Sequence, residues 1–435
     1  MRILPVPDGR VSRVAPLRHL GRARLVAVGI NSVIGGGIFI LPATVAALVG
    51  TASLAAYLAA GAVVAGVGLA LSSLAARYDA SGGPYLYVGR AFGAFAGFQA
   101  GWLFCLARLT AMANLMNGFA QYLGTLVPWG ARPPARAGLV MVCAAAVVGT
   151  NISGIRATSS AANVMAVLKV APLALLGLAG LFCLDPGNFA AAAFRPADFL
   201  RAVLLLIFAF TGFEILTVPA EEALEPRRDI PYALLATIGT VCLIYVLVHT
   251  VSLGMLPGLR SEAAPLAAAA GMIAGSAGRY GMTAVAALSM VGCALIALVG
   301  GSRLMYAMSQ ASQIPRWLGA LGPRRRTPVA ASLLLGGLAA LLAIAGRYDE
   351  LAAVSAGSRM LIYLASCLAC LSPASGSGPG GRLAASLTAA AIAVLLTGLT
   401  GREIAAGAVG VGAGWVLYLV ARRAGEARHK EGEVS

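Results

Sequence analysis

Twelve apolar runs of about 20 residues follow one another along this chain of 435 residues, each long enough to cross about 30 Å of hydrocarbon. They centre on 25–48, 52–76, 96–122, 137–155, 160–184, 200–220, 232–256, 282–306, 327–346, 351–372, 383–400 and 403–421. Few folds are open to such a chain, because lipid satisfies no backbone N–H or C=O and only helices or closed barrels span it. Runs of this length are helical, so the sequence predicts an all-α integral membrane protein with 12 transmembrane helices. Charge content agrees: 11% of residues are charged, against about a quarter in soluble domains.

A net charge of +16 would suit a nucleic-acid binder if it were gathered on one face. Its placement says otherwise. With twelve spans, 21 Lys and Arg fall on the side of the N-terminus, six of them in the first 24 residues, and eight fall on the opposite side. The positive-inside rule then puts both termini in the cytoplasm and the multi-pass chain in the cytoplasmic membrane. Residues 1–24 read as a basic cytoplasmic tail, and the first span as uncleaved, since it is too long for a signal peptide. Cys367 and Cys370 form a C-x-x-C inside a helical run without a second ligand pair, so helix packing is expected there and no metal site. No cofactor is expected either.

The first run, "GINSVIGGGIFILPATVA" from residue 29, places Gly35, Gly36 and Gly37 together where a helix should be continuous. A break at that depth frees backbone groups, which is tolerated only where the segment is buried or lines a cavity. In many secondary transporters such a break aims the positive N-terminus of the second half-helix at an anionic group. Folds of that kind carry a second break at the corresponding place of a repeat. Five runs later, "LLLIFAFTGFEILTVPAEE" places Thr211 and Gly212 at mid-membrane, with Glu214 beside them. Small residues at helix crossings are the alternative for either stretch alone.

These stretches resemble amino acid permeases of the amino acid–polyamine–organocation superfamily. The likeness extends to "FAFTGFEILTVPAEEALEPRRDIPYAL" from residue 208, "ARYDASGGPYLYVGRAFG" from residue 76 and "GGSRLMYAMSQASQIPRWL" from residue 300. It implies a LeuT-type 5+5 inverted repeat with broken helices 1 and 6. The repeats would be residues 25–184 and 200–372, with 383–421 forming two extra helices and 422–435 a cytoplasmic tail. It also implies that the N–H groups of Gly35, Gly36 and Gly37 grip a substrate carboxylate, while carbonyls of Phe208, Ala209 and Thr211 hold its ammonium. The Phe208 ring would stack over the bound molecule.

Lys169 lies mid-run in "ANVMAVLKVAPLALLGLAG", where a charge costs about 2.5–3.5 kcal/mol. Similar proton-coupled permeases place a lysine there where relatives bind sodium, so Lys169 is the candidate for proton coupling. The other reading is a lysine permanently bonded to carbonyls of the broken first helix. Glu214 is a second candidate for proton movement, and Arg108 in the third run lies at a similar depth. A pair between Arg108 and Glu214, direct or through water, is expected, with snorkelling of Arg108 as the alternative. Arg359 in the tenth run has no assigned partner. The loop "PAEEALEPRRDIPYA" reads as an ion-paired hinge between the sixth and seventh spans, or as a solvated loop.

The function expected is a secondary active transporter of amino acids by alternating access, with proton-coupled symport and neutral amino acids favoured. Neutral substrates are favoured because no acid besides Glu214 lies mid-span to meet a cationic side chain. An exchanger, an exporter of cationic amino acids or polyamines, and a sensor that keeps the permease fold are the alternatives. An enzyme is not expected: His19, His249 and His429 are scattered, and no Walker A motif is present. The expected partners are the amino acid, a proton and the lipid bilayer, for a monomer or homodimer.

Overall fold

A computed structural model describes residues 21–432 apart from 78–82, 128, 131, 154–158, 190–192, 218–222, 312 and 323–326. Fourteen α-helices carry the described chain. The first seven are α1 (Arg22–Val33), α2 (Gly37–Val49), α3 (Ser53–Ala75), α4 (Gly83–Phe92), α5 (Ala94–Gly124), α6 (Pro133–Ile152) and α7 (Ser159–Gly180). After these come α8 (Pro196–Phe210), α9 (Pro226–Met255), α10 (Pro265–Gln310), α11 (Val329–Ala345), α12 (Tyr348–Leu371), α13 (Pro379–Leu396) and α14 (Gly401–Gly432). Five of them, α6, α8, α9, α10 and α13, start on a proline, whose fixed φ suits a first turn that needs no N–H donor.

Each of the twelve apolar runs lies on a helix, except that the first and sixth are cut in two. Among the described residues nine helical stretches are long and apolar enough to cross a membrane, and α11 is a shorter apolar helix of 17 residues. The shortfall from twelve therefore sits at α11 and at the two interrupted runs. The first run ends as α1 at Val33, passes through an extended Ile34 (ψ 90°), and resumes as α2 at Gly37. The sixth ends as α8 at Phe210, passes through an extended Thr211 (ψ 153°) and then Gly212 (φ 117°), and continues as a short 3₁₀ turn over Phe213–Thr217.

Packing places the two interruptions at the centre. α1 lies against α9 and α7, and α2 against α8, while the long α5 contacts α6, α10, α11 and α12. α13 covers α12 and α3, and α14 lies outermost on α5 and α12 with most of its apolar side chains exposed. Within α10 the chain turns sharply at Gly275 (φ 59°), a left-handed conformation that favours glycine, so its first ten residues leave the line of the rest. His249 is buried in α9, where its Nε2 meets Ser53 Oγ at 2.6 Å and its ring lies 4.7 Å from that of Tyr57. It is a packed side chain.

Gly212 combines a positive φ with a crowding backbone neighbour. A Cβ there would stand 2.6 Å from Ser32 O, in a conformation that costs a non-glycine residue about 1–3 kcal/mol even in open space. Gly212→Ala is therefore expected to lower the melting temperature of the purified protein markedly. Gly281→Ala, on an exposed face of α10 with nothing within 4 Å, should leave stability within about 1 kcal/mol. Thermal melts of the two variants in detergent, scored by monodisperse protein remaining, check the contrast.

Candidate functional site

The two interruptions face each other across a cavity whose walls include Gly35, Gly36, Gly37, Phe208, Ala209 and Thr211. Their backbones nearly touch. A Cβ on Gly37 would lie 2.6 Å from Ala209 Cα, so only glycine lets α2 start against the end of α8. Phe208 presents its ring to the cavity and meets Tyr348 edge to face at 6.3 Å between centroids.

Opening a helix leaves carbonyls behind it and N–H groups ahead of it. Behind the first break, Ile34 O accepts from Lys169 Nζ (3.0 Å) and Ser289 Oγ (2.9 Å), and Asn31 O accepts from Lys169 Nζ (2.9 Å). Tyr245 OH bridges the two breaks, reaching Val33 O at 3.3 Å and Ala209 O at 3.1 Å. Ser32 Oγ donates to Gly212 O at 3.1 Å. Ahead of the first break, the N–H groups of Gly35, Gly36 and Gly37 meet no acceptor among the described residues. Three unpaired backbone donors at the positive end of α2 thus belong to residues that line the cavity, an arrangement suited to a carboxylate.

The carbonyls expected to hold an ammonium are partly occupied from within. Phe208 O accepts from Thr211 N (3.2 Å) and Thr211 Oγ1 (2.7 Å), and Ala209 O accepts from Tyr245. Each carbonyl has two lone pairs, and that of Ala209 keeps one free.

Lys169 is fully buried on α7, and its Nζ also meets Cys293 Sγ at 3.3 Å. Its two carbonyl partners are Asn31 in the last turn of α1 and Ile34 just after it, at the negative end of that helix, which accounts for a lysine at this depth.

Glu214 is also buried, and its direct ion pair differs from the one expected. Arg359 of α12 takes that place, with Nε 3.3 Å from Glu214 Oε1, while its Nη1 donates to Thr211 Oγ1 and Ser355 Oγ at 3.0 Å each. Glu214 Oε2 further accepts from Gly212 N (2.8 Å) and Tyr363 OH (3.2 Å). The carboxylate therefore closes the second break on itself and ties it to α12. Arg108 lines the same cavity but makes no direct ion pair with Glu214; its guanidinium lies 4.6 Å from the Phe104 ring centre, and the residue as a whole is 8% exposed, so it does not snorkel outward.

Several groups escaped sequence reasoning. Ser289, Cys293 and Tyr245 are unremarkable letters in apolar runs, and only the crossing of helices turns them into partners for a broken backbone. Arg359 carried a signal that sequence could have used: the mid-run ionisable set is Lys169, Arg108, Arg359 and one acid, so more than one base competes for Glu214. Of the loop after the sixth run, Glu221 and Glu222 lie outside the described residues. Asp229 is described, and it joins Arg22 Nε at 2.7 Å while accepting from Glu225 N at 3.0 Å. The pairing therefore ties the start of α9 to the start of α1.

A family model described as amino acid permease matches residues 20–413. An uncharacterized transporter of Mycobacterium tuberculosis is 30% identical over 411 residues, covering 93% of this chain and 91% of that protein. A branched-chain amino acid permease of Bacillus subtilis is 27% identical, covering 77% of this chain and 76% of its own, and a serine/threonine exchanger of the same species is 25% identical, covering 80% and 81%. This chain belongs to the amino acid permease family, and it is a multi-pass membrane protein.

Removing one partner of a buried pair leaves the other charge uncompensated, at a cost of about 3–5 kcal/mol. Glu214→Gln and Arg359→Gln should each destabilise the protein, and the double variant should be less damaged than the sum of the two. A double-mutant cycle of melting temperatures should give a coupling of about 0.5–3 kcal/mol, and strict additivity would refute the pair.

Proposed function

We propose that this permease is a secondary active transporter that carries an amino acid across the cytoplasmic membrane by alternating access, with both termini cytoplasmic. The observation that carries the reading is the meeting of two interrupted helices at a cavity that Gly35, Gly36 and Gly37, whose N–H groups are unpaired among the described residues, help to line. In this reading residues 25–184 and 200–372 are the inverted repeats, and residues 383–421 lie outside them. The α-carboxylate of the substrate sits on the N–H groups of Gly35, Gly36 and Gly37. Its ammonium meets the free lone pair of Ala209 O and the neighbouring carbonyls of Phe208 and Thr211, with the Phe208 ring over the bound molecule. The names of the Bacillus relatives, an amino acid permease and an amino acid exchanger, support amino acids as the substrate.

The switch between the two faces rests on α1. This rod of 12 residues is separated from α2 by the extended Ile34, so it can move as a unit once its bonds release. It is tied at its start by the Arg22–Asp229 pair and at its end by Lys169. An ammonium offers three donors and a positive charge to the negative end of that helix. Loss of the Lys169 proton removes one donor and the charge together, which links protonation to the position of α1. Lys169 is the proposed coupling residue on this ground, and Glu214, at the second break, is the acid that shares the task.

Purified protein in proteoliposomes should accumulate labelled amino acid more strongly with an inward proton gradient than without one. Lys169→Gln should lose that dependence. Undiminished proton dependence in Lys169→Gln would assign the lysine a structural role alone, and counterflow into preloaded vesicles without any gradient effect would favour exchange.

A further inference from the structure

Three charged side chains line the cavity: Arg108, Glu214 and Arg359. Two cations stand against one anion. Glu214 and Arg359 use each other, and Arg359 is further engaged by Thr211 and Ser355. Arg108 is different. It is more than nine-tenths buried, and among the described residues its five donors meet no hydrogen-bond acceptor; it lies over the face of Phe104 and feels the charge of Glu214, which is already committed to Arg359. On its other side α10 passes at Gly300, where a Cβ would stand 2.5 Å from Nη1, so backbone backs the guanidinium there and supplies it with no side chain.

The Arg108 nitrogens are not fully buried, so the guanidinium opens onto the cavity, where an anionic group can meet it. On α5, Leu115 lies beside Gly35 and Gly36, and Arg108 follows two turns away on the same face, about 10 Å along the helix. The cavity wall thus carries two separate donor sets, backbone N–H groups and the Arg108 guanidinium. The carboxyl carbons of an extended five-carbon dicarboxylic amino acid lie about 5 Å apart. Two carboxylates held apart in one molecule match two separate donor sets on the cavity wall, the glycine N–H groups and the Arg108 guanidinium.

We infer that the cavity selects an amino acid whose side chain ends in a carboxylate, and that Arg108 receives this second anionic group. The inference rests on the amino acid transporter reading above and names the substrate class of that same site. It replaces the neutral side chain favoured from sequence, which followed from the absence of spare acids and took no account of a spare base. A cationic amino acid or a polyamine would meet Arg108 as a like charge and is disfavoured for the same reason. Phosphate or chloride could also neutralise a guanidinium, but neither would use the glycine N–H groups and the guanidinium at once.

The test is uptake by the full-length protein in proteoliposomes, with labelled glutamate, aspartate, leucine and serine run in parallel. Unlabelled glutamate, aspartate, leucine and arginine serve as competitors. The expected result is uptake of an acidic amino acid that acidic competitors suppress and leucine and arginine do not. Arg108→Gln should weaken that uptake by about tenfold to a hundredfold, the loss of a charged hydrogen bond, and Arg108→Lys should recover part of it by restoring the charge. Uptake of leucine or serine with no effect of acidic competitors would overturn the inference and leave the transporter reading standing. So would neutral uptake that depends on chloride and loses this dependence in Arg108→Gln. No uptake of any of these, even into preloaded vesicles, would overturn both. Because competition is read on the unaltered protein, it decides the matter even if Arg108→Gln fails to fold.

Discussion

A polypeptide in lipid has nowhere to send an unpaired backbone group except to another part of itself, and this constraint organises the whole centre of the molecule. Two helices are opened at mid-depth, and each opening is closed by the other. Ser32 beside the first break bonds Gly212 of the second, and Tyr245 holds a carbonyl from both. Gly37 is stripped of a side chain so that α2 can begin against Ala209. Nearly all the freed carbonyls acquire partners in this way, whereas the N–H groups at the start of α2 do not. The site is thus the remainder of a hydrogen-bond account in which donors were left over on one side.

Charge follows the same logic. Lys169 is stable at full burial because it caps the carbonyl end of α1, and Glu214 because it accepts from Gly212, Tyr363 and Arg359 together. Each of these groups repairs backbone geometry and also occupies a point where protonation would change how two helices are held. The Arg22–Asp229 contact extends the principle to the far end of α1, where an ion pair joins two elements that the chain separates by about the length of six runs. α1 is thus a short rod pinned at both ends by ionisable groups.

Much of this was legible in the letters. A membrane-length run with three consecutive glycines, and a second with Thr211-Gly212 five runs later, announce interruptions because glycine is a poor helix former and lipid leaves the consequences nowhere to hide. Most helix limits fall within a few residues of the apolar runs for the same reason, whereas α10 begins at Pro265, 17 residues before its run at 282, and α14 continues to Gly432. The partner of Glu214 was not legible. Arg108 and Arg359 both sit deep in apolar runs, and depth along a run says nothing about which helix faces which.

The sequence by itself determined that the chain is a multi-pass helical membrane protein, where its helices break and which buried residues carry charge. Those properties depend on local composition and on the hydrogen-bond needs of the backbone, both of which are written within a window of some 20 residues. Only the tertiary structure decided that Arg359 rather than Arg108 pairs with Glu214, that Cys293 and Lys169 converge on Asn31, and that Arg108 is left facing the cavity. Ion pairs and hydrogen bonds act over a few ångströms, and residues 138 to 262 positions apart reach that range only when the helices have packed.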